Sequence, residues 1–196
     1  MKLGIRIVAS ALVLAVAAAP LGAQQRDLIF GIYGGGADHL ADLQSNPSVW
    51  LMPGYSFGGS VGLQLSTHFA VHADFTYARN PSRGHTLFAG SDIVHYYYGV
   101  HLEGRYPLGA LAPFAFVGVG GAAVDQQGVD QFDPFSKPAA MLGGGLAWKI
   151  PGSPFEALGQ VQGISYKWNA AGIDRQLFDV TYSLGVRYRV PVVMPF

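Results

Sequence analysis

From Phe178 to Val190 the chain alternates with a period of two. Phe178, Val180, Tyr182, Leu184, Val186, Tyr188 and Val190 are separated by Asp179, Thr181, Ser183, Gly185, Arg187 and Arg189. Successive side chains of an extended strand point to opposite faces, so this segment has one wholly apolar face and one polar face. A helix would scatter both sets around its axis. A second long copy sets Val94, Tyr96, Tyr98, Val100, Leu102 and Tyr106 against His95, Tyr97, His101, Glu103 and Arg105.

Weaker copies fill the rest of the chain. Leu28, Phe30 and Ile32 open a first strand; Tyr55, Phe57, Val61, Leu63 and Leu65 mark a second; Phe69, Val71, Ala73, Phe75 and Tyr77 mark a third. The segment from Pro113 to Ala122 is so uniformly apolar and glycine-rich that its two faces are indistinguishable. Leu142, Leu146, Trp148 and Ile150 mark a further strand, and Phe155, Ala157, Gly159 and Val161 another, opposite Glu156, Gln160 and Gln162. The total is eight strands. Beyond Gln24 no apolar run reaches the roughly 18 residues of a helical membrane span.

The connections alternate in length. Ser66 to His68, Pro107 to Leu111 and Pro151 to Pro154 are short, whereas Asp38 to Met52, Arg79 to Ser91, Val124 to Lys137 and Lys167 to Leu177 are longer and more polar. Outer-membrane barrels show this asymmetry, with short turns on one side of the bilayer and long loops on the other. An even strand count leaves both ends of the barrel on the short-turn side. The N-terminus carries Lys2 and Arg6, an uncharged stretch from Ile7 to Ala19, and Ala23 before a polar segment, the layout of a secretory signal peptide. The expected division is a signal peptide over 1–23 and a barrel over 24–196.

Alternation alone does not say which face meets lipid, because a soluble lipocalin-like barrel has the same period with its apolar face inside. Composition breaks the tie. Only 12% of residues are charged, against about 25% in ordinary soluble domains, and the polar face is largely Gly, Ser, Thr, Gln and Tyr, which suits a crowded interior better than a hydrated surface. Tyr55, Phe69, Tyr77, Tyr106, Trp148, Phe155, Tyr166, Trp168 and Tyr188 lie at strand ends, where interfacial aromatic girdles are expected. The charges of the polar face gather toward the short-turn end: Glu103, Arg105, Lys149, Glu156, Arg187 and Arg189. The interior of an eight-stranded barrel is filled by side chains, so these six are expected to pair across the lumen and plug it. A formal net charge of +0 points away from a nucleic-acid partner. The absence of cysteine excludes disulfides, thiol chemistry and lipoprotein anchoring.

Over essentially the whole mature region the chain resembles the small eight-stranded outer-membrane β-barrel proteins. The local match is to the final-strand signal of that family: Ser183, Gly185 two residues on, Tyr188 three further and Val190 two beyond that, with Phe196 as an aromatic terminus. Pro191 and Pro195, which cannot donate ladder hydrogen bonds, stand between that strand and Phe196. The resemblance implies an all-β, up-and-down transmembrane barrel in the bacterial outer membrane. It further implies contact with outer-membrane lipid and lipopolysaccharide, and recognition by the barrel-assembly machinery.

Candidate chemistry is sparse. Gly54-Tyr55-Ser56-Phe57-Gly58 matches a nucleophile-elbow pattern, but that motif needs a strand-to-helix turn, and alternation here runs on to Leu65. His72, His95 and His101 share the polar face of two neighbouring strands without a short-spaced ligand pair, so hydrogen-bonded interior histidines are expected, with no metal or other cofactor. The resemblance also brings in lipid-modifying barrels. His39 and Ser91-Asp92 match their acyltransferase arrangement poorly, and a charged lumen would not hold an acyl chain. The reading is a non-enzymatic barrel with a structural or surface-interaction role, with a narrow pore and a lipopolysaccharide-modifying enzyme as alternatives. Trp50, Phe88, Phe132, Phe135 and Trp168 are the apolar loop residues that a partner or lipopolysaccharide would meet.

Overall fold

The structure is a computed structural model that describes residues 25–40, 44–45, 48–84, 91–127, 134–170 and 173–193. Ten strands are described: β1 (Gln25–His39), β2 (Gln44–Ser45), β3 (Ser48–Leu51), β4 (Gly54–Gln64), β5 (Phe69–Gly84), β6 (Asp92–Arg105), β7 (Leu111–Gln127), β8 (Phe135–Lys149), β9 (Phe155–Ala170) and β10 (Ile173–Val193). Eight of them form an antiparallel barrel in which every wall strand pairs with its chain neighbour, and the first closes on the last from Gln25↔Val193 to His39↔Asp179. β2 and β3 lie outside the wall and extend it through pairing of β3 with the end of β5. Closure leaves no unpaired edge in the barrel wall, the condition for strands to cross a bilayer. No described helix is long and apolar enough to cross a membrane.

The period-two faces sort as the alternation predicts. Ile32, Phe57, Phe75, Leu102, Val117, Leu142, Val161 and Leu184 point outward, with Leu184 75% exposed in the isolated chain. Thr76, His101, Glu103, Gln162, Thr181 and Arg187 are buried in the lumen. β7, whose faces its residues leave ambiguous, turns Phe114, Phe116, Ala122 and Val124 inward and Val117 and Val119 outward. Its glycines serve close strand approach. A Cβ added to Gly120 would meet the Tyr98 carbonyl oxygen at 2.0 Å and Gly99 Cα at 2.6 Å, so the paired glycines Gly99↔Gly120 admit no side chain at the β7 position.

The barrel wall is taller than the hydrophobic alternation. Segments expected as loops at 79–91, 124–137 and 167–177 continue partly as paired strand, and β9 and β10 stay in register up to Ala170↔Ile173. Polar pairs sustain the ladder where apolar alternation stops, as in Lys167 and Asp174, 2.9 Å apart and open to solvent. This extension corrects the placement of two aromatics. Tyr166 and Trp168 do not belong to an interfacial girdle, nor Trp168 to an exposed loop, because they sit on the inward face of β9 and are fully buried. Trp168 packs edge-on against Phe135, with ring centroids 5.1 Å apart. At the other end β10 runs through Pro191, opposite Asp27, to Val193, while Phe196 lies outside the described residues.

Candidate functional site

The lumen has two tiers, each following from which residue types occupy inward positions at a given height. Toward the short turns, inward positions of β1, β6, β9 and β10 carry Asp27, Glu103, Arg105, Glu156, Arg187 and Arg189. Arg187 Nη2 stands 2.7 Å from Glu103 Oε2, and Arg187 Nη1 donates to Glu103 Oε1 at 3.1 Å. Arg105 lies 3.5 Å from Glu103 and donates to Glu156 at 3.2 Å. Arg189 Nε is 2.8 Å from Glu156 Oε1, and its Nη1 donates to Asp27 at 3.2 Å and to Gln64 Oε1. Three guanidinium groups thus meet three carboxylates. Glu103 is fully buried, and the Arg187 guanidinium also lies over the Phe114 ring at 4.9 Å.

Five of the six charges singled out from the sequence are therefore brought together, and Lys149 is not. It lies exposed at the last residue of β8, on the inward face but above no lumen, and forms no ion pair among those described. Asp27 and Gln64 complete the cluster instead. The alternation of the first strand carried a signal for Asp27, which lies one residue before outward Leu28.

Above this network stand His72, His101 and Asp74. His101 Nδ1 is 2.9 Å from Asp74, while His72 finds Glu103 only at 3.7 Å and has no hydrogen-bond partner at either ring nitrogen. The neighbouring cavity, lined by Tyr33, Asp74, His101 and Arg187 among others, measures about 10 Å³.

The tier toward the long loops is mainly apolar. Ile93, Val124, Met141, Ile164, Leu177 and Trp168 make up most of it, so the lumen is filled by apolar as well as polar side chains. Within it His39 Nδ1 contacts Asp179 Oδ1, and the Tyr97 hydroxyl donates to Asp179 Oδ2 at 2.5 Å. His95 is buried beside them with neither ring nitrogen hydrogen-bonded, so the expectation of hydrogen-bonded interior histidines holds for His101 and fails for His72 and His95.

The other candidate groups are engaged separately. Ser56 Oγ donates to the Gly36 carbonyl at 3.1 Å from within β4, which runs on as strand to Gln64, with no strand-to-helix turn to present it. Asp92 pairs with Arg79, and Ser91 accepts from Gln126 at 2.8 Å, so His39, Ser91 and Asp92 each have different partners. Ser183 and Gly185 line the inner face of β10, and Tyr188 and Val190 its outer face. Phe69, Tyr106, Trp148, Phe155 and Tyr188 surround the short-turn end on the outside.

Solved structures share this architecture. The Neisserial surface protein A is similar over 87% of this chain and 100% of its own, at 15% identity and a TM-score of 0.59. The N-terminal barrel of Pseudomonas aeruginosa OprF is similar over 85% and 100%, at 16% identity and a TM-score of 0.54. OprG of the same organism is similar over 86% and 97%, at 15% identity and a TM-score of 0.51. At such identities the likeness is one of fold. No curated protein matches the sequence significantly. Residues 9–192 match the outer membrane protein beta-barrel domain family. The chain belongs to that family, and its place is the bacterial outer membrane.

Proposed function

We propose that this protein is a non-enzymatic integral outer-membrane barrel with a structural or surface-interaction role and a lumen closed to ions. The observation that carries this reading is the network of three carboxylates and three guanidinium groups on β1, β6, β9 and β10, in which Glu103, Arg105, Glu156 and Arg187 are buried and Asp27 and Arg189 partly so. The space above the network, about 10 Å³, has room for about one water and not for a file of them. Ions crossing would have to break buried charge pairs and then pass the apolar tier. The same proposal includes export through a signal peptide cut after Ala23, assembly through the Ser183, Gly185, Tyr188, Val190 and Phe196 signal, and loops that face lipopolysaccharide or a surface partner.

The test is conductance of the tag-free mature chain, whose intact mass also reads the cleavage site, refolded and inserted in a planar bilayer. The expected trace stays at the lipid baseline. Regular high-conductance steps would replace this reading with a pore.

A further inference from the structure

We propose that His39, His95 and Asp179 form a buried site for a first-row divalent metal ion, of which zinc is the natural probe. One ligand atom from each residue lies within 4.8 Å of the others. Two imidazoles and a carboxylate are a donor set suited to zinc and its neighbours, with bonds of about 2.0–2.2 Å. Donor atoms in a tetrahedral zinc shell stand about 3.5 Å apart, so small side-chain rotations close the present arrangement around an ion.

The unsatisfied nitrogens supply the second, independent observation. Both ring nitrogens of His95 and Nε2 of His39 are buried without a hydrogen-bond partner, although a buried polar group ordinarily finds one and loses about 1–3 kcal/mol when it does not. One further polar group stands near them, the buried and unpartnered Tyr166 hydroxyl, whose ring lies 6.3 Å from that of His95. His95 stacks on Tyr97 with centroids 5.6 Å apart and lies 4.8 Å from the His39 ring, within the apolar tier of Ile93, Ile164 and Leu177. Among the described residues the ion pair made by Asp179 is with His39, so no Lys or Arg occupies the place of a cation. Tyr97, donating to Asp179 Oδ2, fixes the carboxylate as an outer-shell partner does in metal sites.

The second cluster, His72, His101 and Glu103, also holds an unpartnered histidine, but its charge and donors are already engaged. Arg187 and Arg105 already neutralise Glu103, and His101 is bonded to Asp74, so an added cation would meet positive charge and occupied donors.

The geometry also assigns the metal an effect on stability. His39 and Asp179 face each other across the β1–β10 seam, whereas His95 lies on β6, four strands from β10 in either sense around the wall and three from β1. An ion held by all three ties opposite walls of the barrel at the long-loop end.

The experiment titrates Zn²⁺ and Co²⁺ into the tag-free, chelator-stripped, refolded chain in detergent. It follows stoichiometry by competition with a chromophoric chelator, cobalt geometry by visible absorption, and the urea unfolding midpoint. The expected result is one ion per chain, tetrahedral cobalt bands and a midpoint that rises with free metal. Tyr97→Phe should weaken binding about 10- to 100-fold, His95→Gln should weaken it further, and His101→Gln should leave it unchanged. Heat-modifiable mobility shows that each variant has folded. A wild-type chain with no metal-dependent midpoint, or an affinity equal in wild type and folded His95→Gln, overturns the site. Should His95→Gln fail to fold, the wild-type midpoint and the Tyr97→Phe affinity decide alone.

Discussion

Truncating Glu103 to alanine is expected to destabilise the barrel by about 3–5 kcal/mol, measured by urea unfolding in lipid vesicles. Glu103 is fully buried and is approached by Arg187 at 2.7 Å and Arg105 at 3.5 Å. Removing it leaves one guanidinium buried without its nearest counter-charge, and the neighbouring space of about 10 Å³ has room for about one water. Removing both ends of the pair avoids that orphan. Glu103→Leu/Arg187→Leu should therefore lose less than Glu103→Ala alone, since Arg105 and Arg189 still balance Glu156 and Asp27. Lys149→Ala should stay within about 0.5 kcal/mol, as exposed charges away from a network usually do. A Glu103→Ala loss below about 1 kcal/mol would mean that the network is hydrated, and the closed-lumen reading would fall with it.

The second large effect lies on the opposite face. Leu184→Arg is expected to cost about 2–4 kcal/mol in a bilayer, the range for a cation on the lipid side near the midplane. Leu184 stands four residues from Tyr188 of the short-turn aromatic belt, roughly 14 Å along the strand and about 10 Å in height once strand tilt is included. The apolar band is about 25 Å tall, so this is near its centre. In water the same change at a position 75% exposed would be close to neutral. Leu108→Arg supplies the control, because Leu108 is also exposed but lies in the short turn between β6 and β7, where the cost should fall to about 0–1 kcal/mol. Equal costs at the two positions would contradict a lipid-facing band at Leu184.

Residues of β6 and β10 show how much could be read without tertiary information. The outward placement of Tyr182, Leu184 and Val186 and the inward placement of Glu103 and Arg187 follow from strand geometry, which is local: two residues apart means the same face, whatever the partner strand. Low charge content then indicated which face meets lipid. The gathering of Glu103, Arg105, Glu156, Arg187 and Arg189 at one end was legible for the same reason, because strand direction and turn length place each residue at a height. Lys149 shares their face and their end, yet whether a side chain at a strand terminus reaches the lumen depends on strand stagger, which no single strand encodes.

The remaining features needed closure of the barrel. The faces of β7 were decided by its pairing with β6 and β8, since an all-apolar, glycine-rich strand fits either way until Gly99 meets Gly120. Tyr166 and Trp168 moved from an expected interface to the interior because the ladder outlasts the hydrophobic pattern, and backbone pairing needs no apolar side chains to continue. His39, His95 and Asp179 carry no spacing signal, being contributed by β1, β6 and β10. By itself the sequence determined which way each regular strand faces, because that is backbone geometry repeated residue by residue. Only the tertiary structure decided which inward residues meet across the lumen, because that depends on how eight strands are staggered when the sheet closes on itself.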